Sequence, residues 1–360
     1  MDFRNSELIL SSQDEQQGSV HWQSPSNIAL VKYWGKHGVQ LPRNPSISFT
    51  LDACFTQTVL AYKTKETPSD DINLDFYFMG EKNVAFGAKA KKFLEGISDI
   101  YPFLTQLDLQ INTANSFPHS TGIASSAAGM SALSLCLCTL EDRLFGTLSD
   151  ADLFDQKASF LSRLGSGSAC RSIFPHLAVW GKTPDVANSS DEFAVVYDNV
   201  HETYKTFCDS ILIVSSDEKA VSSRAGHALM EGNPYASPRY TQANQRMTTL
   251  LSTLQNGDLE TFGQIVEDEA LTLHALMMAS NPSFILMKPN TLRMIELIRA
   301  YRAETKHPVY FTLDAGPNIH LLYPNDIAYA VQVFINEQLI PLCENGNWIK
   351  DMVGEGPVEL

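Results

Sequence analysis

Long hydrophobic runs are missing from this sequence: no stretch of about 18 apolar residues occurs in its 360 positions, which leaves no candidate for a membrane-spanning helix. The opening residues, MDFRNSELILSSQDEQQGS, have neither the basic region nor the apolar core of a signal peptide, and residues 1–19 read as a loosely ordered polar extension. Cysteine is scarce. Six are present, at 54, 136, 138, 170, 208 and 343, with no CxxC pair, so neither zinc-ligand spacing nor a small disulfide scaffold is in view, and reduced thiols in a cytoplasmic setting are expected. The nine histidines, His37, His119 and His320 beside motifs among them, also lack metal-ligand spacing. Positive charge is in short supply, 26 Lys and Arg against 41 Asp and Glu. The net charge of −15 argues against nucleic acid or an anionic membrane as partner, both of which need a cationic surface. It does not argue against an anionic small molecule, because cations cluster locally at Lys32 and Lys36 and at Lys89, Lys91 and Lys92. No internal repeat and no low-complexity linker breaks the chain.

What is present is a globular composition, 44% hydrophobic with 19% charged. A chain of this length exceeds one ordinary core, so two lobes with a ligand cleft between them are expected. Alternation at Ile72, Leu74, Phe76 and Phe78, and again at Leu107, Leu109 and Ile111, predicts half-buried strands, with further strands at 46–51 and 56–62. Helices are expected at about 86–97, at about 125–145 closed by Gly146, and from a capping signal at Ser149 and Asp152 to Gly165. From about residue 209 the texture becomes α+β: an apolar strand, helices near 238–255, 258–278 and 288–303, then a strand pair around FTLDAGPNIHLLY. The division is drawn at 1–19, 20–204 and 205–360.

Phe117 to Gly129, FPHSTGIASSAAG, is a run of small and turn-forming residues leading into a helix. Small side chains let backbone N–H groups approach phosphate, and a helix N-terminus adds partial positive charge there. Close packing of a small-residue helix on a sheet would leave the same trace, and the segment alone does not separate the two. Two lysines flank Tyr33, Trp34 and Gly35; lysine usually ends in solvent, but as mobile point charges Lys32 and Lys36 are able to hold phosphates. Gly165 to Ser168 is a donor-rich loop followed by Arg171, whose fork suits a carboxylate. Asp314 stands before a Gly-Pro turn, where aspartate is most often a turn cap. Arg224 follows Ser222 and Ser223, which serve equally as helix caps or phosphate donors.

Together these segments resemble the diphosphomevalonate decarboxylases of the GHMP kinase superfamily. The phosphate-loop run is similar to the PxxxGLxSSAA signature with Ile123 in place of leucine, and it stands in the family's order with SPSNIALVKYWGK (24–36), PRNPSISFTL (42–51), SGSACRS (166–172), AVSSR (220–224) and LDAGPN (313–318). The resemblance implies a two-lobed, GHMP kinase-like α+β fold: an ATP-binding N-terminal lobe like the second domain of a small-subunit ribosomal protein, and a ferredoxin-like C-terminal lobe carrying a catalytic aspartate. It implies ATP as co-substrate with Mg2+ held mainly through the nucleotide, assisted by Ser125 or Ser126, and a homodimer acting on 5-diphosphomevalonate. ATP would meet Pro118, Gly122, Ile123, Ala124, Ser125, Ser126, Ala127 and Gly129. The second substrate would meet Asn27, Tyr33, Trp34, Gly35, Lys36, Lys89, Ser166, Gly167, Ser168, Ala169, Cys170, Arg171 and Arg224, with Asp314, Lys32 and Arg171 at the reacting centre. Superfamily kinases commonly carry an aspartate in the loop where Ala169 and Cys170 stand, and a GAGGGG-like loop where DAGPN stands. His37, Pro45 and His119-Ser120-Thr121 depart from the family pattern. Three other readings stay open at this point: a phosphomevalonate decarboxylase, a 3-hydroxyl kinase, and a nucleotide-dependent sensor without turnover.

Overall fold

A computed structural model describes residues 2–11, 15–118, 123–217 and 223–360. Two sheets organise them. The first is built on Gln17–Val31 antiparallel to Ser46–Thr64, and continues through Leu107–Asn115, Asn73–Phe78 and Glu81–Lys82. Leu177–Trp180 also pairs with the first half of Ser46–Thr64, and Val358–Glu359 returns from the far end of the chain to pair with Gln17–Val31. The helix Ser125–Phe145 packs on this sheet with an almost continuous buried surface, which explains its small and apolar sequence. Gly146 ends it in the left-handed conformation, φ 66°, where a Cβ would be strained.

The strands expected at 46–51 and 56–62 are one continuous element. Its pairing with Gln17–Val31 shifts register between Pro25 and Asn27, and the backbone N–H groups of Asp52, Ala53 and Cys54 turn instead to the buried carboxylate of Asp351, at 2.9, 2.7 and 2.9 Å. A side chain from 297 residues away thus takes the donors that the ladder leaves unpaired. The cap of Ala151–Gly165 is Asp150, which accepts the Leu153 N–H at 2.8 Å, rather than the Ser149 and Asp152 pair. The opening segment is also held more firmly than its composition suggests. Leu8 and Leu10 are buried in the first core, and the Gln106 amide bonds both backbone groups of Leu10.

The second sheet runs Tyr310–Thr312, Ile319–Tyr323, Cys208–Leu212, Trp348–Met352, all antiparallel. The helices Ala236–Asn256, Leu259–Met278 and Pro289–Thr305 appear within two residues of expectation. Gly257 in the left-handed region and Asp258, accepting the Thr261 N–H at 3.1 Å, separate the first two. One core joins residues of both sheets, with Phe49, Phe207 and Phe262 in mutual ring contact. Truncating such a ring at this junction costs about 3–5 kcal/mol. Among the described residues no helix is long and apolar enough to cross a membrane.

Candidate active site

A cleft of about 930 Å³ opens beside that junction. Its lining draws Lys32, Tyr33, Trp34 and Lys36 from the first motif, Ala124, Ser125, Ser126 and Gly129 from the phosphate-loop run, Gly165 to Ser168 and Arg171 from the third, and Asp314 from the last. Segments separated by up to 282 residues meet in one space.

At its centre the Lys32 ammonium donates to Asp314 Oδ1 at 2.9 Å. Lys32 is 2% exposed, while the Asp314 side chain keeps 27% and opens to the cleft. The aspartate leaves the strand Tyr310–Thr312 in a tight turn closed by the Gly316 N–H on the Asp314 carbonyl, and His274 Nε2–H donates to that same carbonyl at 3.1 Å.

Arg171 sits in a 3-10 turn, Gly167–Ile173, and is also 2% exposed. Its Nε donates to Ser48 Oγ at 3.0 Å, Nη1 to Ser46 Oγ at 2.6 Å and Nη2 to Asn27 Oδ1 at 3.2 Å, with Trp180 across its face at 5.9 Å. All three acceptors are neutral, and among the described residues no carboxylate lies within ion-pair distance. Burial therefore lowers the arginine's pKa from its ordinary value. A buried guanidinium with neutral partners and remaining N–H donors is chemically suited to an anion arriving from the cleft.

Asn27 does not line the cleft; it orients Arg171 and bonds Ser172 Oγ at 2.8 Å. Tyr33 packs on Trp180 and His227, at 4.6 and 4.3 Å between ring centroids, and its hydroxyl is buried without a hydrogen-bond partner among the described residues. Burial pushes that phenol's pKa up, which keeps it a donor. Gly167 closes the site against it, since a Cβ there would lie 2.9 Å from Trp180 and 3.0 Å from Tyr33 Oη. Trp34 is buried against His227, whose Nδ1 accepts the Gly35 N–H at 3.0 Å. Burial and the nearby Lys36 lower that histidine's pKa to about 3, so the ring is neutral as this bond requires. Lys36 Nζ reaches Gln40 Oε1 at 2.8 Å at the rim. Lys89, exposed on the helix Val84–Glu95, lies over Phe86 at 5.4 Å and also borders the cleft.

Ala124 enters Ser125–Phe145 in the left-handed region, φ 47°; no side chain among the described residues caps the helix, and its first residues, Ser125 and Ser126, line the cleft. Ser126 Oγ lies 3.3 Å from Ser166 Oγ, joining this helix start to the third motif. Ile123 and Ala127 are buried behind it, and Pro118 is exposed outside the lining. Ala169 and Cys170 are wholly buried, with the Cys170 thiol pushed up to about 12 by burial. Gly122, His119, Ser120, Thr121 and Ser222 lie outside the described residues; Arg224 is described only as backbone of the short helix Ser223–Ala228.

Sequence reasoning missed several contributors. Phe76, Phe78, Phe86 and Phe93 also line the cleft, with Phe86 in edge contact with Phe76 and Phe78 at 6.4 and 5.3 Å between ring centroids. Ser46, Ser48 and Trp180 surround Arg171. Glu269 and Arg239, both buried, hold the Lys32 backbone. Among the described residues no group of three or more His, Cys, Asp or Glu side chains is gathered as a metal site. An ion carried by a nucleotide would find hydroxyl oxygens at Ser125 and Ser126.

Known proteins align with this arrangement over nearly the whole chain. Residues 24–194 match the diphosphomevalonate decarboxylase-like N-terminal domain family, and residues 210–354 match the mevalonate 5-diphosphate decarboxylase C-terminal domain family. A diphosphomevalonate decarboxylase of Eremothecium gossypii is 30% identical over 83% of this chain and 76% of its own length. One from Schizosaccharomyces pombe is 29% identical over 94% of this chain and 86% of its own. The solved mevalonate diphosphate decarboxylase of Enterococcus faecalis superposes with a TM-score of 0.79 at 27% identity, covering 96% of this chain and 99% of that one. A structure of MDDEF in complex with MVAPP, AMPPCP and magnesium gives 0.80 at 28%, with the same coverage. The α+β architecture is thus the two-lobed GHMP kinase-like one that the motifs imply. The chain belongs to the diphosphomevalonate decarboxylase family.

Proposed function

We propose that the chain catalyses ATP-dependent decarboxylation of (R)-5-diphosphomevalonate, giving isopentenyl diphosphate, ADP, phosphate and carbon dioxide. The observation that carries this reading is the convergence of Lys32, Asp314 and Arg171 in one cleft, two of them ion-paired and the third a buried cation with neutral partners. The relatives supply the substrate class: the neighbouring structure holds MVAPP, AMPPCP and magnesium together.

ATP lies with its phosphates at the start of Ser125–Phe145, where backbone N–H groups and the hydroxyls of Ser125, Ser126 and Ser166 meet them. The hydroxyls of Ser125 and Ser126 would meet a magnesium ion carried by the nucleotide, which would neutralise phosphate charge there. Asp314, fixed through Oδ1 by Lys32, orients or deprotonates the 3-hydroxyl, whose oxygen takes the γ-phosphoryl group. The new phosphate ester is a leaving group. The electron pair of the carbon–carboxylate bond forms the alkene as carbon dioxide departs, and phosphate takes the electrons of the broken C–O bond. Arg171 aligns the carboxylate for this fragmentation; gripping it too tightly in the ground state would raise the barrier, so its contribution is orientation. Tyr33, Lys36, Lys89, Ser168 and Arg224 serve the diphosphate. This reading keeps 20–204 as the ATP-binding lobe and 205–360 as the lobe of the catalytic aspartate, in a cytoplasmic homodimer; sedimentation of the full chain tests the dimer.

Two measurements bear on the site's division. The 5-diphosphate is expected to exceed the 5-monophosphate in kcat/KM by about 10- to 100-fold, the worth of the charge-assisted hydrogen bonds lost with one phosphate. Equal or better use of the monophosphate reassigns the substrate. Ser125→Ala and Ser126→Ala are expected to raise KM for ATP by about 2- to 10-fold with diphosphomevalonate binding unchanged. Wild-type ATP kinetics in both variants would assign the loop to packing alone.

A further inference from the structure

The reacting pair is assembled from distant parts of the chain, Lys32 just beyond the strand Gln17–Val31 and Asp314 just beyond Tyr310–Thr312. One helix, Leu259–Met278, touches both. Glu269, wholly buried, accepts the Lys32 backbone N–H at Oε2, 2.8 Å away. Further along the same helix His274, 1% exposed, donates to the Asp314 backbone carbonyl. The Lys32 carbonyl is held as well, by Asn44 Nδ2 at 3.1 Å and Arg239 Nη2 at 3.2 Å. Arg239 also grips both oxygens of Glu269, at 2.6 and 2.5 Å, and Arg246 adds a bond to Oε1 at 2.8 Å.

A buried carboxylate with two arginines is costly to desolvate, and packed apolar residues commonly stabilise a fold as well or better. Burial alone would raise the Glu269 pKa; the Arg239 guanidinium outweighs it and leaves the pKa lowered. The charge is therefore retained, and Glu269 Oε2 and Arg239 Nη2 converge on the backbone of a single residue. That residue carries the ammonium opposite Asp314. The lysine stem is buried, so packing restrains it, and anchoring its backbone at both N–H and C=O fixes the point from which the ammonium reaches Asp314.

The geometry points to Glu269 as a positioning residue for the reaction: paired with Arg239 it fixes the Lys32 backbone, and through the helix it shares with His274 it sets Lys32 against Asp314. This rests on the decarboxylase reading given above.

Glu269→Gln keeps size and one acceptor oxygen and removes the charge. In folded enzyme it is expected to lower kcat by about 10- to 100-fold, the scale of a small misplacement at a reacting centre, with dissociation constants for ATP and diphosphomevalonate retained. In the Asp314→Asn background the same change is expected to cost less than about threefold, because the pair it aligns is already broken. Glu267→Gln, on the same helix but paired to Arg302 at 2.5 Å, controls for loss of a buried ion pair and should lower melting temperature without lowering kcat. Arg239→Lys keeps a buried cation and loses the fork, so it repeats the test should the glutamine variant not fold. The inference is overturned if the folded variants retain kcat within about threefold of wild type, or if the losses multiply fully in the Asp314→Asn background. Wild-type enzyme that releases no carbon dioxide would instead remove the decarboxylase reading and this inference with it.

Discussion

Replacing Asp314 by asparagine is expected to lower turnover by roughly 10²–10⁴-fold while both substrates still bind, the range for a positioned acid–base group. Asparagine matches aspartate in size and keeps a hydrogen-bonding oxygen near Lys32, but it neither accepts a proton nor supplies the negative charge that faces the ammonium. The groups assigned to hold the substrates lie on other elements: Ser125 and Ser126 at a helix start, Arg171 in its 3-10 turn, Lys36 at the rim. Loss of kcat with retained dissociation constants follows from that separation. A turn-capping role for Asp314 predicts the reverse, a lower melting temperature with near-normal chemistry in the folded fraction. Kinetics, binding and melting on one preparation decide between them, and kcat within about threefold of wild type rejects the general-base assignment.

Arg171→Gln is expected to lower kcat by about 10²–10³-fold, the usual cost of removing one preorganised donor set from a reacting centre, without destabilising the free enzyme. The second half of this expectation separates function from structure. Removing one partner of a buried ion pair strands its counter-charge, but Arg171 bonds only Ser46, Ser48 and Asn27 among the described residues, and glutamine leaves no carboxylate stranded. It also relieves the desolvation that lowers the arginine's pKa. Melting temperature should hold or rise while activity falls, the pattern of a residue kept for function at a cost in stability. A large drop in melting temperature with normal kcat would make Arg171 a structural residue.

Features encoded locally were legible in the sequence. Gly146 reads as a helix end and takes the left-handed conformation that other residues resist, and the break between the helices expected at 238–255 and 258–278 falls at Gly257, left-handed too, and Asp258, which caps the next helix. The start of the helix Ser125–Phe145 and the Arg171 loop were read from sequence as parts of one site, and both line the cleft. What depended on distant partners was not legible. Ser46–Thr64 reads as two strands because nothing near residues 52–54 discloses that Asp351 will take their N–H groups. Leu8 and Leu10 stand in a polar stretch, and only the tertiary structure shows the core they enter. Two signals were available and unused. Ser46 and Ser48 alternate with Ile47 and Phe49, so a polar face within a buried strand was visible without its arginine. Glu269 is flanked at helical spacing by Ile265, Val266 and Leu273, all buried, and a carboxylate on an apolar stripe calls for a partner that sequence does not name.

The central claim is that phosphorylation of the 3-hydroxyl and loss of carbon dioxide occur in this one cleft. It is tested most directly by incubating the full chain with ATP, magnesium and diphosphomevalonate labelled at the carboxyl carbon, and counting carbon dioxide against ADP. The account predicts one carbon dioxide for each ADP formed, with no release when ATP is omitted. ADP formed without carbon dioxide would make the chain a 3-hydroxyl kinase, and neither product with any mevalonate derivative would contradict catalysis altogether.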